Sequence, residues 1–166
     1  MRDTLSSFTR VNNMKKSGRI IIVITVVVAL PIAYWLISPL FITKQVNEKL
    51  EDIMPPQAAI TEKRLAQGVF TGLAGHSATG TVTLYQFGNN YILRLEDDFM
   101  VTNGPDLFVH FGKDGAYVKE ARLAALKGNL GGQNYEVPAD INPSDYDEVW
   151  IWCRSFAVPF GKAVLQ

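Results

Sequence analysis

The sequence predicts an all-β domain, small, antiparallel and sandwich- or barrel-like, preceded by a single transmembrane helix. Three observations predict it. Beyond residue 65 the chain runs through short stretches rich in valine, isoleucine, threonine and aromatics, several alternating apolar with polar residues, with glycine- and asparagine-bearing turns between them. Only residues 121–126 of that region have helical composition. From residue 20 to 43 no side chain carries a charge, a run long enough to cross the ~30 Å hydrocarbon core of a bilayer.

In chain order, residues 1–19 carry Arg2, Arg10, Lys15, Lys16 and Arg19 against the single acid Asp3, and read as a basic cytoplasmic segment. Residues 20–42 read as an uncleaved signal anchor. Pro31 within it is tolerated better in lipid than in a soluble helix, and Tyr34 and Trp35 suit an interface. After it come mixed charges, Lys44, Glu48, Lys49, Glu51 and Asp52, so the basic side is the retained one and the C-terminal domain is expected in the periplasm or outside the cell. A cleaved signal peptide is the competing reading. Against it, Pro31 breaks the small-x-small pattern that would end at Ala33, and the apolar run continues to Ile42.

Residues 43–65 read as a stalk or linker. Val46, Leu50, Ile53 and Met54 among charges suit a short helix, which Pro55 and Pro56 would stop, and the domain boundary falls near Leu65. Residues 66–166 then supply one small core. Gly68, Val69 and Phe70 open it, and Gly72 and Gly75 mark a turn. Residues 79–85 alternate Val82 and Leu84 against Thr81, Thr83 and Tyr85, and a turn at Gly88, Asn89 and Asn90 returns the chain as a second strand over 91–96. Arg94 and Glu96, two apart on one strand face, are expected to form a solvated ion pair worth about 0.5 kcal/mol. A run over 99–102 meets the turn residues Asn103, Gly104, Pro105 and Asp106, and 107–111 leaves it as a strand. Residues 121–126 read as one helical turn or a loop, 127–134 as a glycine- and amide-rich loop, 135–137 as a brief strand ended by Pro138.

The chain closes on two strand-like runs that bracket Cys153, the only cysteine in 166 residues. Alternation places Val149, Ile151 and Cys153 on one face and Trp150, Trp152 and Arg154 on the other; Phe156, Val158 and Phe160 then recur at every second position. An unpaired cysteine in an oxidising compartment forms no internal disulfide. Its aliphatic neighbours favour an inert core thiol, and Arg154 points away and does not activate it. A redox thiol is the sharper reading.

The remaining chemistry is bounded by what the residues lack. Lys and Arg balance Asp and Glu at 16 each, for zero net charge, so there is no basic footprint for nucleic acid. His76, His110 and Cys153 nominally supply a copper inventory, but no His or Met follows Cys153 and His110 faces away from its strand's apolar residues, so no metal site is expected. No Cys-x-x-Cys-His motif for covalent heme occurs, and a noncovalent heme ligated by Cys153 or His76 stays open. Asp106 and Lys127 are candidates to line a ligand pocket. The amides of Asn129, Gln133 and Asn134 would either meet a sugar or hold their own loop. The 127–134 loop lacks the order of a phosphate-binding loop, and no catalytic triad or carboxylate pair can be built from spacing.

Four ordered blocks resemble the DM13 domain. They are residues 80–85 with His76 before them, 93–99 with 103–107, 126–138, and 149–165, so the resemblance covers 68–165. It implies an all-β extracellular or periplasmic module, with the family's signature cysteine at Cys153 and its histidine at His76. It also implies electron transfer through Cys153 as a bare thiol or through a prosthetic group. The expected function is therefore a membrane-anchored extracytoplasmic redox domain with a redox partner. The alternative is a non-catalytic cell-surface module for a polysaccharide or protein, with Cys153 buried; whether the chain is an enzyme stays open.

Overall fold

A computed structural model describes residues 16–38, 41–53 and 62–166, in two units, Met1–Ser38 and Pro39–Gln166. Residues 1–15 of the predicted basic segment and 54–61 of the predicted stalk, with Pro55 and Pro56, lie outside the described residues.

In the first unit the apolar run forms α1, Lys16–Ile37. Ile20, Val23, Val27 and Leu30 are exposed on it, and Thr25 donates its hydroxyl to the Ile21 carbonyl at 2.9 Å, which satisfies the polar group within the helix. Pro31 lies inside α1. Among the described residues no helix is long and apolar enough to cross a membrane, so the predicted span over 20–42 is not supported. The helix ends at Ile37, and its charge-free part from Ile20 rises only ~27 Å at ~1.5 Å per residue, short of a ~30 Å core.

The second unit is built on strands β1 (Glu62–Gly72), β2 (Ala78–Thr79), β3 (Thr81–Phe87), β4 (Asn90–Leu95) and β5 (Met100–Val101). They are followed by β6 (Leu107–Lys113), β7 (Ala116–Ala125), β8 (Gln133–Glu136), β9 (Glu148–Cys153) and β10 (Val158–Val164). Eight of them form one antiparallel sheet in the order β7-β6-β9-β10-β1-β3-β4-β8, and β2 and β5 form a small separate pair. The predicted all-β class is correct, and of its two predicted forms the barrel-like one is the nearer: in place of the two facing sheets of a sandwich there is one sheet curled into a half-barrel, whose edge strands β7 and β8 come into contact. Register breaks between Arg64 and Ala66, between Pro159 and Gly161, and on either side of His110 supply the extra twist that curls it. The concave side holds the core, including Leu93, Leu95, Phe99, Val109, Phe111, Val149 and Ile151.

Turn chemistry sets the hairpins. Phe87 pairs with Asn90 across the two-residue turn Gly88-Asn89, with Gly88 at φ 59°, where a type II′ turn takes glycine. Asp114 and Gly115, both at positive φ (53° and 84°), join β6 to β7 with Lys113 opposite Ala116, the combination a type I′ turn requires.

Several local expectations are overturned by tertiary pairing. Residues 121–126 are neither helix nor loop up to Ala125: they end β7, with Ala121 buried against the core and His110 opposite Arg122. Ladder bonds and one-sided burial outweigh the helical preference of alanine and leucine. Residues 43–49 are extended rather than helical, and only Leu50–Ile53 makes a 3-10 turn. This strap runs along the 128–134 loop: Val46 N–H donates to Leu130 O at 2.9 Å and Glu48 N–H to Gly132 O at 3.0 Å. Phe156 does not begin the last strand but sits exposed in the 154–157 turn, where Ala157 takes φ 52°.

Candidate functional site

Cys153 ends β9, the strand between β6 and β10, with Leu107 and Val158 as its cross-strand partners. Val149, Ile151 and Cys153 are all at 0% exposure, the consequence of the period-two alternation on a strand whose inner face is the core. The thiol belongs to the hydrophobic cluster with Leu107 and Phe160.

His76 lies in the turn between β1 and β2 and stacks on Phe160, ring centroids 3.6 Å apart at 8°. The room a macrocycle would need beside Cys153 is filled by core side chains, so the thiol does not fit a heme. Among the described residues no group of three or more His, Cys, Asp or Glu is gathered to hold a metal.

Asp106 and Lys127 are not brought together. Asp106 accepts from Arg154 through Nε at 2.9 Å and Nη2 at 3.1 Å, and from the Ser155 hydroxyl at 2.8 Å. Burial alone would raise its carboxyl, but the bonds from Arg154 and Ser155 outweigh that and hold it below the usual carboxylate range. Lys127 reaches the Glu48 carboxylate at 2.8 and 2.9 Å and the Asn134 carbonyl at 2.7 Å. Glu48 is likewise pushed up by desolvation and pulled down further by the Asn134 N–H and by Lys127, with a net lowering.

Of the loop amides Gln133 holds its own loop, while Asn129 and Asn134 bond to the strap. Gln133, at 0% exposure, accepts from Gly128 N–H at 3.0 Å and donates to the Gly128 carbonyl at 2.8 Å, while the Tyr135 hydroxyl donates to its Oε1 at 2.8 Å. Asn129 accepts from Lys44 N–H at 3.5 Å, and Asn134 donates to the Lys49 carbonyl at 2.7 Å. Arg94 belongs to the same region and is buried, not solvated: it bonds Glu96 (2.7 Å), Asp97 (2.6 Å), the Glu48 carbonyl (2.9 Å) and Asn134 (2.9 Å). It ties the strap to β4 and β8.

The richest arrangement of side chains lies on the convex face of β6, β7 and β9, where sequence reasoning named only His110, Trp150, Trp152 and Arg154. There Phe108, His110, Tyr117, Arg122, Trp152 and Arg154 line a cleft of about 610 Å³. Tyr117 and Trp152 stack at 3.9 Å and 18°, and His110 meets Tyr117 edge-on at 5.3 Å. The Arg154 and Arg122 guanidiniums lie 4.6 and 5.2 Å from the Phe108 ring centre, within cation–π range. His110 is 4% exposed. Burial, with Arg122 adding to it, lowers its pKa despite a bond to the Val118 carbonyl at 3.3 Å, so the ring is neutral at neutral pH. The signal that could have found this face was the outward alternation of Phe108 and His110 with Trp150 and Trp152, plus the Asp-Gly turn that folds Tyr117 back beside them.

No curated protein and no solved structure matches the chain. The family model described as Electron transfer DM13 matches residues 69–165, a segment that contains all but the first residues of the curled sheet, both histidines, Cys153 and the outer cleft. The chain belongs to the DM13 family, whose description is electron transfer.

Proposed function

We propose that this protein is a membrane-tethered extracytoplasmic electron-transfer module whose redox chemistry does not run through thiol–disulfide exchange at Cys153. The observation that carries the second half is the thiol's 0% exposure on β9, with strands on both sides. Disulfide exchange needs in-line approach of a second sulfur to Sγ, and the folded domain offers none. The family description supports electron transfer as the coarse role.

Tethering is supported by the exposed aliphatic surface of α1, by the apolar sequence continuing through Phe41 and Ile42 beyond the helix, and by the basic residues before it. The same charge bias supports the reading of the β domain as extracytoplasmic. A protease added to intact cells or spheroplasts should digest the β domain, with full protection reversing the orientation. The redox half is tested on the full-length chain extracted from membranes and titrated anaerobically with dithionite. The parent and Cys153→Ala are expected to take up the same number of electrons. A free thiol is already reduced and accepts no electrons from dithionite, so loss of uptake in a folded Cys153→Ala protein would return Cys153 to the redox role as the residue that holds a reducible group, and no uptake by either protein would overturn electron transfer.

A second reading is favoured by the same burial together with the aromatic cleft: a non-catalytic binding module with Cys153 as a packing residue. Stacked tyrosine and tryptophan on an exposed sheet face are the usual platform for a planar ligand. A protein that takes up no electrons yet binds a ligand at the cleft would have this role.

A further inference from the structure

The cleft over β6, β7 and β9 has polar chemistry that nothing in the fold uses. His110 Nδ1 faces the Val118 carbonyl, which can only accept, so Nδ1 carries the proton and Nε2 the lone pair. Among the described residues Nε2 has no protein partner, yet no buried side-chain nitrogen or oxygen is left without one. Nε2 is therefore reachable from outside, and His110 lines the cleft. A ligand meeting it must offer a hydrogen-bond donor.

The surroundings narrow the ligand further. The stacked Tyr117 and Trp152 rings and the Phe108 ring form the walls, which suit a flat ring. Arg154 is held by Asp106, whereas Arg122, paired with His110 across the β6–β7 ladder, has the ring of Phe108 beside it and, among the described residues, no carboxylate bond. On the rim Lys119 and Glu120 offset one another, so Arg122 leaves the mouth of the cleft positive on balance, which favours an oxygen that gains negative charge as its proton is drawn to Nε2.

We propose that this cleft binds a hydroxylated aromatic ring of the hydroquinone class, with one hydroxyl donating to His110 Nε2 and the ring lying against Trp152 and Tyr117. The electron-transfer reading is used only to choose a hydroquinone among hydroxylated rings. The hydrogen bond and the stacking do not depend on it.

The test is calorimetric titration, with tryptophan fluorescence alongside, of the full-length chain in detergent micelles with methylhydroquinone. Saturable binding is expected. It should be weakened about tenfold by His110→Phe and by Trp152→Ala, and a few-fold by Arg122→Gln, while His110→Gln, which retains an acceptor, recovers part of the loss. 4-Methoxyphenol, which keeps one donor, should bind within a few-fold of methylhydroquinone, and 1,4-dimethoxybenzene, which has none, about tenfold more weakly. Because His110 is buried, Arg122→Gln and the two methoxy compounds decide the matter if a core variant fails to fold. A prenylated hydroquinone in lipid nanodiscs separates the sources: tighter binding there than for the soluble ring means a membrane-borne donor, and equal binding a soluble one. Absence of saturable binding, or binding indifferent to Arg122, Trp152 and the donor hydroxyl, overturns the proposal. Failure here with dithionite uptake intact removes only the cleft ligand, whereas binding here without uptake removes only the electron-transfer reading.

Discussion

Titrating Cys153 with dithionitrobenzoate measures how completely the sheet encloses it. Sγ lies on the concave face, and β9 is hydrogen-bonded on one side to β6 and on the other to β10. To reach it, a reagent must wait for β9 to part from a neighbour, losing a ladder that runs from Glu148 to Cys153 and exposing Val149 and Ile151 as well. That opening is close to the global unfolding of a small domain, about 5 kcal/mol or more. At about 1.4 kcal/mol per factor of ten, the native thiol should react roughly 10³–10⁴-fold more slowly than the same thiol in denaturant. The assay is absorbance at matched reagent concentration, native against guanidinium-unfolded, on the full-length chain. A native rate within tenfold of the unfolded one would refute the burial argument and with it the case against thiol exchange. Cys153→Ser should cost about 1–3 kcal/mol, because a hydroxyl replaces the thiol where the apolar cluster offers no partner.

Three further outcomes follow from single contacts. Gly112→Ala would drive a methyl into Trp150 Nε1 and Cδ1; the indole must move off its bond to Glu148, with a loss of about 1–3 kcal/mol seen in chemical denaturation and a shifted tryptophan emission. His110 is disfavoured from charging in the folded state, first by burial and then by Arg122, with Lys119 and Glu120 on β7 and Arg154 after β9 also lining its cleft. Its contribution to stability is therefore full above the unfolded value of about 6.5 and is lost as pH falls below it. Thermal melts between pH 7 and 5 should show a drop that Arg122→Gln reduces and His110→Phe abolishes. Glu48→Ala removes the acceptor shared by Asn134 N–H and Lys127, and should destabilise by about 1–2 kcal/mol while speeding proteolysis of the 43–49 strap. The parent strap should also loosen in acid, since the lowered Glu48 pKa gives stability above its unfolded value that is lost as pH falls through the folded one.

Wherever a residue's environment follows from its own strand, the sequence was sufficient. Val149, Ile151 and Cys153 share a face because strand geometry allows no other arrangement, and the β3–β4 hairpin follows from Gly88 and Asn89 between alternating runs. The readings that failed were those decided by a distant partner. Residues 121–126 have helical composition, yet pairing with β6 makes most of them a strand. Glu48 was read as part of a stalk, yet its carboxylate meets Lys127 and the Asn134 N–H, more than 75 residues away in the chain. Asp106 and Lys127 looked like pocket partners and were instead claimed by Arg154 and Glu48.

By itself, then, the sequence determined the all-β class of the domain, most of its strands, the turn at Gly88 and Asn89, and the side of β9 on which the thiol lies. Backbone periodicity and turn propensity act within a few residues, and they carry that information locally. Only the tertiary structure decided that the strands curl into one sheet, that the strap closes over Arg94, and that Tyr117 from β7 reaches Trp152 on β9 beside His110. Those features depend on register breaks and on β6 lying between β7 and β9, and strand order across a sheet is settled by the packing of the whole core.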